Sequence, residues 1–284
     1  MTGTWVRSLG GFVALSVIVL AAFTAGAQGI TSAVKEGGAP LEISADYGIE
    51  WRRDDQVYVA SGNARAAQGD LAVYADVLTA HYRENEQGET EVYRIEADGN
   101  VRMVSPTETI YGDHGRYEVN ERYLILTGDD LRLETEDGLI TARESLEYWE
   151  KKQVAVARGD AVAVREDKRV RADELVAYFE TGADGGIELV SIDAVGDVQI
   201  STPKEYASGR TGTYYVKKQL ATLSGDVKIT QGRNQMNGEY AEVNLETGVS
   251  RILAAPPGRS GLAPVRGLLV PPKKSKKAQD DKTE

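Results

Sequence analysis

One tripeptide type recurs along this chain at intervals that themselves repeat: Gly, then Asn or Asp, then in most copies a small or apolar residue. It stands at Gly62-Asn63-Ala64, Gly99-Asn100-Val101, Gly128-Asp129-Asp130, Gly159-Asp160-Ala161, Gly196-Asp197-Val198 and Gly225-Asp226-Val227. The spacings are 37, 29, 31, 37 and 29, so the first three sites map onto the last three at a constant offset of 97. Other landmarks keep the same offset. Ala75-Asp76 maps onto Ala172-Asp173, Gly112 onto Gly209, Tyr117 onto Tyr214 and Pro106 onto Pro203. The middle of the chain is therefore an internal duplication, each half holding about three smaller units.

Between these sites the sequence alternates with a period of two. Tyr58/Ala60, Ile95/Ala97, Leu124/Leu126, Ile192/Ala194 and Ala221/Leu223 precede the glycines. Val101/Met103, Leu131/Leu133, Val198/Ile200 and Val227/Ile229 follow them. Such alternation places these side chains on one face of a strand and the intervening Arg, Glu, Lys and Thr on the other. No helical stripe competes with it, so the spacing predicts antiparallel β structure throughout. A small residue opens a second series of strands at Ala45, Ala75, Gly112, Ala142, Ala172, Gly209 and Gly238. Extra residues at Glu84–Glu89 and Thr181–Gly186 are polar and contain Gly, which predicts longer hairpin turns with the strands unchanged. A central Gly lets a strand bend sharply, and Asn or Asp beside it tolerates the same bend. Hairpins that all bend at one point form a folded sheet, a V or flattened tube with one apolar interior.

The two ends differ from this body. Arg7, an uncharged and mostly apolar stretch from Leu9 to Phe23, and Ala25-Gly26-Ala27 read as a secretory signal over 1–27. Its apolar stretch, roughly 15 residues, is shorter than the roughly 20 that span a bilayer; an uncleaved anchor is the alternative reading. Residues 28–40 read as a linker and 41–253 as the β body. Residues 254–284, with Pro256, Pro257, Pro264, Pro271, Pro272 and the run Lys273-Lys274-Ser275-Lys276-Lys277, read as a disordered Pro/Lys-rich tail. That tail is either a solubilising end or a contact for anionic lipid headgroups. The whole chain carries −11; the signal contributes +1 and residues 259–284 contribute +4, which leaves −16 on the body. An acidic body argues against an electrostatically driven nucleic-acid binder.

The chain has no Cys and only two His, His81 and His114. That excludes thiolate metal sites, iron–sulfur clusters, thiol nucleophiles and disulfides, and leaves little for a zinc enzyme. Tyr178 stands where His81 would recur after 97 residues, so His81 reads as packing rather than ligation. The acidic residues Asp129, Asp130, Glu134, Glu136 and Asp137 read as a solvated outer face. Nothing here assembles a catalytic group, so the expectation is no enzyme, no cofactor and no metal.

Leu41-Glu42-Ile43-Ser44-Ala45-Asp46, then Gly62-Asn63-Ala64, Gln68-Gly69-Asp70-Leu71 and Ala75-Asp76, a cadence repeated to about residue 250, resembles the OstA-like family. Its periplasmic members, LptA and its relatives, carry lipopolysaccharide from the inner to the outer membrane of Gram-negative bacteria. The resemblance implies an open β-jellyroll whose apolar interior shields lipid A acyl chains, and domains that join end to end. It implies inner-membrane LptC-like and outer-membrane LptD-like OstA-fold partners, a head-to-tail homo-oligomer and a periplasmic location. This body is longer than a compact member and lacks a C-terminal outer-membrane barrel. The anchored, LptC-like reading requires the N-terminal segment to stay uncleaved.

Within that frame the expected lipid-binding face is Ile43, Tyr58, Ile95, Met103, Leu124, Leu126, Ile192, Ile200, Leu223 and Ile229, with Arg102 and Gln199 on the opposite face. Ala60, Ala97, Ala155, Ala157, Ala161, Ala194 and Ala221 also face inward. Small residues facing one another leave space, and empty apolar space costs about 24 cal/mol per Å³. Acyl chains would fill it at about 0.8 kcal/mol per buried methylene. The competing reading is a structural β-repeat scaffold with a closed core. Finally, Pro40 and Pro256-Pro257 stop the outermost strands without blocking their edges, so the edges near Leu41–Glu50 and Tyr240–Ile252 are expected to accept a strand from another chain.

Overall fold

The computed structural model describes residues 41–85, 88, 90–183, 185–244, 246, 247, 249–259 and 264–270. The expected signal, the linker and the lysine run lie outside the described residues. The strands are β1 (Glu42–Ser44), β2 (Gly48–Arg52), β3 (Val57–Gln68), β4 (Leu71–Glu84), β5 (Thr90–Val104) and β6 (Glu108–Glu118). The central ones are β7 (Tyr123–Thr127), β8 (Leu131–Thr135), β9 (Gly138–Ala142), β10 (Ser145–Trp149), β11 (Val154–Arg165) and β12 (Lys168–Thr181). Then follow β13 (Ile187–Ser201), β14 (Glu205–Tyr215), β15 (Leu220–Gln231), β16 (Asn234–Asn244), β17 (Val249–Leu253) and β18 (Arg266–Leu268). Every pairing is antiparallel, and one 3₁₀ turn at Glu150–Lys152 is the helical element among the described residues. The all-β, antiparallel class expected from the alternation is the one observed, and it is consistent with the β-jellyroll that the resemblance implies.

Ten strands are long and carry a register break near their middle, always at the small-residue or Gly-Asn/Asp site. At Gly99 and Asn100 two consecutive residues take left-handed backbone, with φ of +77° and +49°. That pair turns the strand through the corner and unpairs it locally between Asp98 and Val101. The same consecutive pair recurs at Gly62/Asn63, Gly159/Asp160, Gly196/Asp197 and Gly225/Asp226. The remaining eight strands form interrupted rungs. β1 and β2 lie along the two halves of β3, β7 and β8 along β6, β9 and β10 along β11, and β17 and β18 along β16. The Gly128 site thus differs from expectation: Asp129 and Asp130 add a residue, and the strand breaks into β7 and β8 instead of bending.

The result is two wings that meet at a crease. One wing holds β1, β8, β9 and β18; the other holds β2, β7, β10 and β17; each long strand gives one half to each. The crease explains the small residues. Ala64 pairs with Ala75, and Ala161 with Ala172, all fully or almost fully buried. A Cβ on Gly209 would come within 2.8 Å of Leu223 Cγ on the opposing wing. Where the wings converge there is no room for a longer side chain.

Two expectations are corrected. The extra residues near 84–89 and 181–186 go chiefly into the strands, since β4, β5, β12 and β13 are 14 or 15 residues long. Pairing satisfies their backbone groups, which a longer turn would leave to water. The segment read as an unstructured tail contains β18, which pairs with Gln235–Asn237 of β16 and so completes the last rung.

Candidate functional site

Strand register converts the two-residue period into unbroken rows across the sheet. On the first wing, Ile43 pairs with Ala66, then Val73, Met103, Ile110, Leu133 and Ile140 in turn. The row continues through Ala163, Val170, Ile200, Ala207 and Ile229 to Met236. On the second wing one row runs from Trp51 through Tyr58, Ala80, Ile95, Tyr117, Leu124 and Tyr148. It goes on through Ala155, Ala177, Ile192, Tyr214 and Ala221 to Val243. A second row, nearer the crease, includes Ala60, Leu78, Ala97, Leu126, Leu146, Leu175, Ala194 and Leu223. Directly opposed residues of an antiparallel pair share a face, so these rows are the inner surfaces of the two wings.

All ten residues named from the sequence fall on these rows. Met103, Leu124, Leu126, Ile192, Ile200, Leu223 and Ile229 are buried; Tyr58 and Ile95 are half-buried. Ile43 is 41 % exposed, because its row ends there. Arg102 lies on the other face and is exposed; Gln199 lies there too and is half-buried. That outer face carries alternating Arg and Tyr on adjacent strands. Arg102 stacks 4.3 Å over Tyr74 and Arg132 3.7 Å over Tyr111, while Arg132 also pairs with Asp130 and Glu134.

Between the wings, at the middle of the stack, lies a cavity of about 610 Å³. Leu124, Leu126, Leu146, Ala157, Leu175 and Ile192 line one wall, and Ile110, Leu133 and Ile140 the other. Of the alanines named from the sequence, Ala155 and Ala157 line this space, and Ala177, which was not named, lines it too. Leu124, Leu126 and Ile192 are the three named candidates that line it; the others sit elsewhere on the rows. The cavity extends toward the Ser105-Pro106-Thr107 and Glu136-Asp137 turns at the rim of the first wing. Sequence reasoning passed over Glu108 and Tyr148, which also line it and are both buried. Burial pushes the Glu108 carboxyl up to about 8 and raises the Tyr148 phenol, with Glu150 and Glu108 adding to the latter. The signal that could have found Glu108 is its recurrence as Glu205, 97 residues on, after the matched prolines.

The other polar candidates are accounted for on the outer face. His81 Nε2 lies 2.9 Å from Glu96 Oε2, and His114 Nδ1 lies 2.9 Å from Asp98 Oδ1. Among the described residues no three His, Asp or Glu are grouped to hold a metal ion, and no helix is long and apolar enough to cross a membrane.

The family described as LptA/(LptD N-terminal domain) LPS transport protein matches the chain twice, over residues 42–144 and 139–249. The two matches begin 97 residues apart, the offset of the internal duplication. Among solved structures, LptH of Pseudomonas aeruginosa, the LptA-homologous periplasmic component of the lipopolysaccharide transport device, is similar at 19 % identity and a TM-score of 0.40. That alignment covers 46 % of this chain and 94 % of that one. No curated protein matches the chain.

Proposed function

The chain belongs to the LptA/LptD N-terminal domain family of lipopolysaccharide transport proteins, and from that premise we propose that it is a periplasmic, non-enzymatic carrier that holds lipid A acyl chains between its two wings. The observation that carries this reading is the cavity of about 610 Å³ set within continuous apolar rows. A closed scaffold would fill that volume with side chains, since interiors pack with few voids larger than a water. The volume falls in the range of small-molecule sites, roughly 300–1,000 Å³. The body, at −16, repels an anionic headgroup at long range, so binding is apolar, with the headgroup left toward solvent at the rims.

The duplication supports an end-to-end role. Residues 97 apart occupy equivalent places, one set on the free N-terminal edge and one at the joint between the two copies. Ile43 is 41 % exposed and Ile140 9 %; Ile49 is 53 % and Leu146 9 %; Trp51 is 53 % and Tyr148 9 %. At the joint the covering rung is β7 and β8, paired with β10 and β9. A rung of the same chemistry, from a second copy or from an LptC-like or LptD-like partner, would cover the free edge in the same manner. Such contacts do not close on themselves and so extend the rows across chains.

Extraction of the protein purified from a Gram-negative host, followed by mass spectrometry, tests the carrier reading. Acylated glycolipid in stoichiometric amount is the expected result; a lipid-free protein that also fails to take up lipopolysaccharide in vitro overturns it.

A further inference from the structure

Among the side chains that line the cavity, two carry a buried polar atom that no protein group satisfies, while the remaining polar lining lies at the rim or is bonded within the protein. Glu108 is 7 % exposed and Tyr148 9 %. Glu108 Oε1 and the Tyr148 hydroxyl are both buried without a hydrogen-bond partner. They approach the cavity from opposite walls, Glu108 from β6 at the rim of the first wing and Tyr148 from β10 on the second. A buried polar atom left unpaired costs about 1–3 kcal/mol, so a site that keeps two of them either wastes stability or uses them.

The duplicated half shows what a satisfied version looks like. Glu205 occupies the place of Glu108 and is equally buried, at 7 %. Both follow a Pro turn in which the backbone N–H of Ser105 or Thr202 donates to the Glu carbonyl at 2.9 Å. Glu205 lies opposite Gln231, whose side-chain amide donates to Glu205 Oε1 at 2.8 Å. Glu108 instead lies opposite Thr135. The Thr135 hydroxyl is already committed to its own turn, donating to Gly138 O at 3.2 Å and accepting from Gly138 N at 3.0 Å. The same carboxyl is therefore held by protein in the second copy and left open at the cavity.

We infer that this cavity takes an acyl chain bearing a hydroxyl group part-way along its length, and that Glu108 and Tyr148 hydrogen bond that hydroxyl. The inference deepens the carrier reading and rests on it. A hydroxyl donates and accepts at once, so one oxygen satisfies two partners. An ester oxygen only accepts, and a plain chain does neither. The buried Glu108 is chiefly the neutral acid at pH 7, and so can donate as well as accept. Its terminal torsion is soft, which lets the carboxyl turn toward an oxygen in the cavity without leaving its rotamer.

The test is equilibrium binding of tetradecanoic acid and a positional series of hydroxytetradecanoic acids to the full mature chain, followed by intrinsic fluorescence. At least one hydroxylated isomer is expected to bind about tenfold more tightly than the plain chain, equivalent to about 1.4 kcal/mol. Tyr148→Phe and Glu108→Leu should each remove most of that preference while plain-chain binding persists. Glu108→Gln, which mimics the neutral acid, should retain it. Circular dichroism on each variant establishes that the sheet is intact. Equal binding of plain and hydroxylated chains leaves the groove standing and overturns the hydroxyl site. A preference that survives both Tyr148→Phe and Glu108→Leu also overturns it. Failure of every chain to bind the wild type overturns the carrier reading, a distinct result.

Discussion

The carboxylate of Asp76 on β4 accepts a hydrogen bond from the Asn100 side chain at 2.9 Å while standing against the Cα of Gly99, in the place a Cβ would occupy. Asp173 stands in the same way against Gly196, and Asp46 accepts from Asn63 at 2.7 Å. The left-handed corner and the carboxylate beside it are one device, repeated along the outside of the crease.

Gly99→Ala should therefore destabilise the fold by about 1–3 kcal/mol, because it strains the left-handed backbone and meets Asp76. Denaturant unfolding measures it. Asp76→Ala made first should return part of the loss, since the two sites are coupled; purely additive costs would show that the contact is irrelevant.

Photo-reactive residues at Met103, Leu124, Ile192 or Ile229 should capture lipid when the protein is loaded with lipopolysaccharide, and those at Arg102 or Gln199 should not. Equal labelling of the two faces would place the lipid outside the wings.

Ile43→Lys together with Ile49→Lys should abolish concentration-dependent assembly in light scattering, since an inward charge on an edge strand blocks pairing. Both residues are already substantially exposed, at 41 % and 53 %. The melting temperature should consequently fall by no more than a few degrees. Assembly that persists unchanged would rule out the N-terminal edge as the joint.

Glu108 gives a pH signature with a definite sign. Its carboxyl titrates near 4.5 when unfolded and at about 8 when folded. Its contribution is complete below pH 4.5. It is lost as pH rises through about 8, at roughly 1.4 kcal/mol per pH unit between those limits. Glu147 and Tyr148 from β10, and Glu134, Glu136 and Asp137 around the β8–β9 turn, are the other titratable groups lining its cavity. Asp160 behaves oppositely: its hydrogen bond to Arg171 lowers its pKa, so its contribution is lost as pH falls. The informative quantity is the difference between wild type and Glu108→Gln, which should lose stability less steeply from pH 5 to 8. Identical slopes would mean that Glu108 is hydrated and ionised.

Much of this molecule is written in short-range pattern. Period-two alternation assigns Met103 and Ile229 to one face and Arg102 to the other, because consecutive side chains of a strand point in opposite directions. The 97-residue offset gives the duplication, and Gly beside Asn or Asp gives the corners, because few other residues occupy left-handed backbone cheaply. Whether a corner stays within one strand is set by register, and the added residue at Asp129-Asp130 broke β7 from β8 in a way that composition does not announce. Pairing with β16 is likewise what orders Arg266–Leu268 inside a proline-rich segment. The sequence also presents Glu108 and Glu205 as equals. Only the fold sets Gln231 opposite one and a self-satisfied Thr135 opposite the other, because cross-strand neighbours are chosen by register over long separations rather than by adjacent residues.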